Sequence, residues 1–390
     1  MPDTDELRAF IERLSCLDRA SCSPGEGEAA ELIAASLRDA GAHAQVERSW
    51  AHGTYWWPLG LTSACGIAAW WLAGRGRRAA GAALGLLGAA AAADELVAGR
   101  RPLRRALPQR VVSNVVAHTG EIGAPKKLVL VAHHDAAHTG LFFDPRITEA
   151  VGRLLERPGD GPPRQPALMA PIALAPAVAG IASIARWRSL GGLAALACAG
   201  IIVSFADMAL SSTVPGANDN LTGVATLLGV ARSLQRDPVE GVEVVLVSTG
   251  AEESLMEGMR AFMGRHGHEL PLESTWVLCV DTVGSTHLVM PEGEGMLRMR
   301  LYDPELKDTV AACAERYGVK LRRGLRVRLG TDGYVAMRHG LAAAMIMSIE
   351  DHGAPSNYHW HTDTAGNVDY STLEGALALA ENLARAMADR

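Results

Sequence analysis

Histidine and acidic side chains follow several apolar segments of this chain, in positions where they could bind metal ions. The apolar run 128–132 ends at His133, and Asp135 lies two residues further on the same side of the chain. A metal-bound histidine usually donates its other ring N–H to a carboxylate, which Asp135 could supply. A second apolar run, 277–280, ends at Asp281. Because ligands gather at the carboxyl ends of strands in α/β folds, these positions predict a common site.

Three further segments could complete this site. Asp219 lies in a turn before a predicted helix, and the two oxygens of a carboxylate can bridge two cations. Glu252 and Glu253 diverge at a predicted strand-to-helix junction, so one could bind metal while the other contacts a metal-activated water. A late loop offers His359 or His361 as a last ligand. Each feature alone also fits a helix cap or a solvated helix start, but together they form the ligand set of a two-zinc site.

Taken together, these motifs resemble the zinc aminopeptidases of the M28 type. The resemblance covers nearly the whole chain outside two apolar insertions. The matching pieces are Ala132-His133-His134-Asp135, the run GANDNLTGV at 216–224, Ala251-Glu252-Glu253, Val280-Asp281 with Gly284, Thr331-Asp332, and Tyr358-His359 with Asp363-Thr364. The resemblance implies a three-layer α/β/α sandwich with a central mixed sheet.

The resemblance also implies roles for individual residues. One zinc ion would be held by His133, Asp219 and Asp281, and the other by Asp219, Glu253 and His359. Glu252 would be the general base, Asp135 would orient His133, and Tyr358 would donate to the developing oxyanion. The family further suggests a cis peptide bond between Asp219 and Asn220. His361, His134 and His138 are expected to lie outside the ligand set, and Thr331 with Asp332 fits a helix cap equally well.

The elements that must position these residues alternate along the chain. Short runs rich in β-branched residues occur at 111–117, 128–132, 242–248, 276–281 and 344–349. Helical spacing of apolar residues occurs at 5–40, 221–234, 252–265, 304–317 and 370–387. This alternation predicts an α/β protein with a central sheet flanked by helices.

Two pairs of uncharged segments interrupt this pattern. They cover 55–74 and 79–93, then 165–185 and 189–206, and arginines mark the turn of each pair. Runs near twenty apolar residues predict two transmembrane hairpins, although buried core helices rich in Ala and Gly would give a similar pattern. The chain then divides into a catalytic domain at 1–54, 100–164 and 211–390, with hairpins inserted at 55–99 and 165–210.

Charge and composition restrict the partners of this chain. A net charge of −6 over 390 residues gives no broad basic surface, so nucleic acid is not expected as a partner. The predicted hairpins make the lipid bilayer a partner and favour peptides or hydrophobic N-acyl or aminoacyl compounds as substrates. Arginines are more numerous on the catalytic side of the first hairpin than in its turn, which predicts a cytoplasmic catalytic domain.

Two alternatives to peptide hydrolysis remain on the sequence alone. The chain could be an inactive, membrane-bound binding or scaffold relative, although such relatives usually lack ligands that this chain keeps. It could also act on other amides, including the cyclisation of N-terminal glutamine, which is known in this fold. The sequence predicts neither the preferred side chain of the substrate nor the oligomeric state.

Overall fold

The computed structural model describes residues 4–147, 150 and 167–389, so the predicted boundary between residues 164 and 165 lies outside the described part. A seven-stranded sheet forms the centre of the predicted catalytic domain, in the order β1-β2-β4-β3-β5-β10-β6. These strands are β1 His43–Ala51, β2 Arg110–Gly120, β3 Lys126–His133, β4 Val242–Thr249, β5 Thr275–Val280, β6 His287–Val289 and β10 Ala342–Ile349. A separate small sheet contains β7 Gly293–Glu294, β8 Arg300–Leu301 and β9 Arg326–Val327.

The strands of the central sheet run in both directions. β4, β3, β5 and β10 are parallel neighbours, whereas β1, β2 and β6 are antiparallel to the strands beside them. The predicted α/β fold with a central mixed sheet is therefore confirmed. Its four parallel strands end at the same edge, which is the edge where ligands collect in such sheets.

Helices cover both faces of the sheet because its inner strands bury alternate side chains in opposite directions. Leu128 and Leu130 of β3 join one apolar cluster, whereas Val129 and Val131 join the other. The first cluster contains residues from α1 Thr4–Ser15, α2 Pro24–Asp39, α8 Thr222–Arg236, α10 Pro304–Arg316 and α12 Tyr370–Ala388. The second contains residues from α9 Glu257–His266 and α11 Asp332–Arg338.

Two predicted helices differ from those in the structure. The single helix predicted at 5–40 is two helices, because Ser23 caps the second one through Glu26 and Pro24 stands at its first position. The helix predicted from Glu252 begins only at Glu257. Residues between β4 and this helix form a turn in which Leu255 and Met256 have positive φ values.

The two apolar insertions pack together as a four-helix bundle. It contains α3 Trp56–Gly74, α4 Arg78–Leu96, α6 Ala170–Ala185 and α7 Arg188–Leu210. The helices α4 and α6 pack closely, since a Cβ added to Gly85 would lie 2.7 Å from the backbone of Gly180. Small residues allow this close backbone approach, which is common between helices in membranes. The bundle joins the catalytic domain at the end opposite its two arginine-rich turns.

Large apolar side chains point outward from the bundle. Leu87, Leu174, Ile184 and Leu196 are each at least 60% exposed, while Gly and Ala occupy much of its interior. In the part of the chain that the structure describes, two helices, Arg78–Leu96 and Arg188–Leu210, are long and apolar enough to cross a membrane. Insertion of the two hairpins into a bilayer stays a prediction.

A buried ionic cluster connects the base of the first hairpin to the turn after β4. We call it the base cluster and define it as Glu95, Arg101, Arg104 and Glu257. Arg104 contacts Glu95 at 3.0 Å and Glu257 at 2.7 Å, and its side chain is 4% exposed. Arg101 lies 3.5 Å from Glu95 and follows α4, shortly before the short helix α5 Pro102–Arg105.

The base cluster also binds the backbone of this turn. Arg104 donates to the carbonyl of Ser254 at 2.7 Å, and Arg101 donates to the carbonyl of Leu255 at 2.6 Å. Glu257 accepts the backbone N–H groups of His52 and Gly53, which precede the hairpin. The hairpin base and the turn that carries Glu252 and Glu253 are therefore held by one hydrogen-bonded unit.

Candidate active site

Three of the predicted ligands meet at the carboxyl edge of the sheet. His133 ends β3, Asp219 lies in the turn before α8, and Glu253 follows β4. Each has a ligand atom within 4.8 Å of the other two. His133 Nε2 lies 3.1 Å from Asp219 Oδ1, so the histidine and the carboxylate face the same point.

The two remaining predicted ligands complete two adjoining groups. His359 Nε2 lies 3.2 Å from Asp219 Oδ2 and 3.3 Å from Glu253 Oε1. Asp281, which follows β5, has an oxygen 3.9 Å from His133 Nε2. Asp219 thus presents one oxygen to each histidine, which is the geometry that a carboxylate bridging two cations needs.

Asp135 lies beneath these residues and orients several of them. Its carboxylate is fully buried and lies 3.4 Å from His133 Nδ1. One oxygen accepts the backbone N–H of Glu252 at 3.0 Å, and the other accepts that of Glu253 at 3.1 Å and the Ser21 hydroxyl at 2.6 Å. Asp135 therefore fixes both glutamates through their backbone as well as the ring of His133.

The turn that carries Asp219 is held by residues from distant segments. Both oxygens of Asp363 accept backbone N–H groups, from Asn218 at 2.7 Å and from Asp219 at 3.0 Å. The peptide bond between Asp219 and Asn220 is cis, as the family resemblance implied. Arg19 is fully buried and donates to the carbonyls of Pro215 and Gly216. The sequence contains no local signal for this role of Arg19, because the two carbonyls that it binds in this turn lie nearly two hundred residues away.

Glu252 and Tyr358 line the same pocket as the ligand group. Glu252 Oε2 lies 4.0 Å from His133 Nε2, and the carboxylates of Asp219, Asp135 and Asp281 lie closer to the same ring. The Tyr358 ring stacks on the His359 ring with 3.9 Å between centroids. One wall of the pocket is apolar and contains Val327, Leu329, Met345, Met347 and Pro355.

The site contains several buried carboxylates, and burial together with nearby charges shifts the pKa values of its groups. Burial raises the pKa of Glu252 well above its ordinary value, although nearby His133 opposes this shift. Burial also raises the pKa of Asp281 to about 7. For Asp219, burial acts in the same direction, but hydrogen bonds with His133 and His359 dominate and lower its pKa. The pKa of His359 rises to about 10 because Glu253 and Asp219 outweigh the lowering effect of burial.

These residues fit zinc by their chemistry. The site gathers imidazole nitrogens and carboxylate oxygens, which are the common zinc ligands besides cysteine thiolates. Its carboxylates outnumber its histidines in a buried volume, and bound cations would compensate this excess of negative charge. Glu253 Oε1 and His359 Nδ1 are also buried without a hydrogen-bond partner among the described residues.

Other predicted positions lie outside the ligand group. His361 is exposed, and His138 bonds the carbonyl of Ser211 while its ring contacts Trp56. His134 is fully buried against the Ser248 hydroxyl, and burial lowers its pKa to about 4. Thr331 caps α11 by accepting the N–H of Gly333, although it also touches the pocket.

Comparison with known proteins gives a family match and a similarity of fold. Residues 203–384 match the model of peptidase family M28, and no curated protein sequence matches the chain. Three solved structures illustrate the similarity of fold. The first is a Zn-dependent exopeptidase from Parabacteroides distasonis, with 13% identity, a TM-score of 0.56 and 98% of each chain covered. The second is a glutaminyl cyclase from Porphyromonas gingivalis, with 15% identity, a TM-score of 0.57, and 98% of this chain and 97% of that chain covered. The third is an aminopeptidase from Aneurinibacillus sp. strain AM-1, with 15% identity, a TM-score of 0.55, and 98% of this chain and 93% of that chain covered. At such identities the likeness establishes a shared fold alone.

Proposed function

We propose that this chain is a zinc-dependent aminopeptidase anchored in a membrane, because residues 203–384 match the model of peptidase family M28. Its reaction would be hydrolysis of the amide bond that follows the N-terminal residue of a peptide. The observation that carries this proposal is the position of Asp219, whose two oxygens face His133 and His359 at 3.1 and 3.2 Å.

Two zinc ions would bind in adjoining positions. His133, Asp219 and Asp281 would hold one, and Asp219, Glu253 and His359 would hold the other. Such ions polarise a carbonyl and make a bound water acidic enough to lose a proton near neutral pH. This arrangement leaves Glu252 without a ligand role, although it lines the same pocket.

The protein side chains would then perform three separate tasks. Glu252 accepts the proton of the attacking water and passes it to the departing amine, which is the task of a general base that later acts as an acid. The Tyr358 hydroxyl donates to the oxygen of the former carbonyl as negative charge develops there. Asp135 keeps His133 and the two glutamates in register during both steps.

The apolar wall of the pocket favours an apolar side chain on the substrate. Val327, Leu329 and Met347 offer no hydrogen bond from their side chains, so a charged side chain there would lose its hydration without replacement. The four-helix bundle, with its outward Leu and Ile side chains, would hold the catalytic domain at a bilayer surface, on the cytoplasmic side. Hydrophobic peptides and N-acyl amino acids concentrate at such a surface.

A second function deserves testing because solved glutaminyl cyclases share this fold. Such an activity on this chain would release ammonia from an N-terminal glutamine and would consume no water. A single experiment separates the two reactions. The purified chain is incubated with aminoacyl amides, short peptides, an N-acyl amino acid and a peptide that begins with glutamine, and the products are analysed by mass spectrometry.

Hydrolysis adds water across a bond and yields two products, whereas cyclisation gives one peptide that has lost ammonia. We expect hydrolysis, bound zinc by elemental analysis, and loss of activity with a chelator. The variant Glu252→Gln should keep its zinc and lose roughly 100-fold to 10,000-fold in kcat, since it removes the general base. Exposed Glu240→Gln is the matched control and should behave as wild type. Activity that survives complete removal of metal would contradict the proposal.

A further inference from the structure

A second cavity lies at the end of the four-helix bundle that is remote from the catalytic site. Its volume is about 390 Å³, and it opens between the turn of the first hairpin and the turn of the second. Arg75 and Arg78 line it from one turn, and Arg186 and Arg188 line it from the other. Four arginines from two separate segments therefore line one cavity.

Among the residues that the structure describes, no carboxylate balances these arginines. No residue that lines the cavity is acidic, and the sequence contains no Asp or Glu between residues 54 and 93 or between residues 167 and 206. Within the described part of the chain, none of the four arginines forms an ion pair with a carboxylate. Arg75 instead stacks on the Trp71 ring, with its guanidinium carbon 3.7 Å from the ring centroid.

Clustered like charges repel one another, so an arrangement of this kind is favourable when an anion occupies its centre. Arginine presents parallel N–H donors that match the oxygens of a phosphate group, and several arginines can share one phosphate. We propose that this cavity binds the phosphate headgroup of an anionic phospholipid. We refer to it as the headgroup cavity.

The surroundings of the headgroup cavity favour a lipid over a free anion. Trp70 and Trp187 line it and are 44% and 56% exposed, and such half-exposed tryptophans are typical of the headgroup level of a bilayer. The 19 residues of α3 span roughly 28 Å, about the thickness of the hydrocarbon layer, so a bilayer that starts at Trp56 ends near this cavity. This inference rests on the proposal that the hairpins span a membrane, and it is independent of the peptidase reaction.

The first turn offers a matched pair of arginines for the test. Arg78 lines the headgroup cavity, whereas the adjacent Arg77 is equally exposed and lies outside it. The full chain is purified in a neutral detergent, and phosphatidylglycerol or phosphatidylcholine is added in mixed micelles. Native mass spectrometry then measures the bound fraction of each lipid. We expect wild type and Arg77→Gln to retain phosphatidylglycerol in preference to phosphatidylcholine, and we expect Arg78→Gln and Arg188→Gln to weaken that retention roughly tenfold each.

Each other outcome overturns the inference. Equal retention of the two lipids by wild type would show that the arginines do not select an anionic headgroup. Equal losses of phosphatidylglycerol retention in Arg77→Gln and Arg78→Gln would indicate that the net charge of the turn attracts the lipid and that the cavity does not bind it. Binding of inorganic phosphate at millimolar concentration, without retention of either lipid, would identify a free anion as the ligand. Peptidase activity is measured on the same samples, and its absence would count against the proposed function while leaving the lipid result intact.

Discussion

Replacing Arg104 by Met should destabilise the protein and impair the active site together, because the base cluster connects the first hairpin to the turn that carries both glutamates. The methionine keeps much of the aliphatic volume and removes the charge. It leaves the carboxylates of Glu95 and Glu257 without the guanidinium that lies 3.0 and 2.7 Å away, and it frees the carbonyl of Ser254.

The magnitude follows from the burial of this cluster. The side chains of Arg104 and Glu95 are 4% and 1% exposed, so water cannot replace the lost partner. Removing one member of a buried pair costs about 3–5 kcal/mol. With an unfolding entropy of roughly 2.1 cal/mol/K per residue over 390 residues, the Tm should fall by roughly 4–6 °C. A shift of the turn should also lower kcat roughly tenfold or more, since small displacements of catalytic groups are costly.

Thermal unfolding in detergent and steady-state kinetics on the best substrate measure both effects. Arg105→Met is the control, because Arg105 is the next residue of α5 and is exposed. The double variant Arg104→Met with Glu257→Gln should recover part of the lost Tm, since it removes one unpaired charge. If Arg104→Met melts at the same temperature as Arg105→Met, the cluster contributes no stability and the reasoning fails.

Three further predictions test the ligand group and a buried acid. Asp135→Asn should reduce activity or zinc affinity roughly 10-fold to 100-fold, because its NH2 group would replace one of the two oxygens that accept backbone N–H groups. Substrate kinetics and zinc titration check this. His359→Ala should lose one zinc per chain by elemental analysis, whereas exposed His361→Ala should lose none. Burial raises the pKa of Glu294 to about 8. Between pH 4.5 and 8 the folded chain therefore keeps a proton that the unfolded chain loses, so the free energy of unfolding should fall as pH rises from roughly 4.5 to 8. Denaturant unfolding across that range should show a steeper loss of stability in wild type than in Glu294→Gln.

The sequence predicted those parts of the site that depend on local pattern. His133 and Asp281 follow apolar strands whose buried composition is visible in the sequence, and parallel strands bring their carboxyl ends together. Asp219 and His359 needed the family resemblance as well, because they lie in irregular turns. The relation of Asp135 to His133 was predictable from a spacing of two residues, whereas its bonds to the backbone of the glutamates were not.

Contacts between distant segments could not be predicted. Arg19 and Arg104 look like ordinary surface arginines in the sequence, but both are buried by packing that arises only in the folded chain. The turn after β4 was predicted as helix because the apolar residues of 252–265 have helical spacing. In the structure, Asp135 and the base cluster hold the backbone there, and tertiary bonds of this kind override local propensity.

The contact between α4 and α6 at Gly85 and Gly180 has a practical consequence for engineering a water-soluble enzyme. Each insertion covers a helix surface of glycine and alanine on the other. Excising a single insertion would therefore expose an apolar surface on the insertion that remains. Such an exposed apolar surface would favour self-association. Both insertions should therefore be cut out together, with the chain rejoined by short polar linkers.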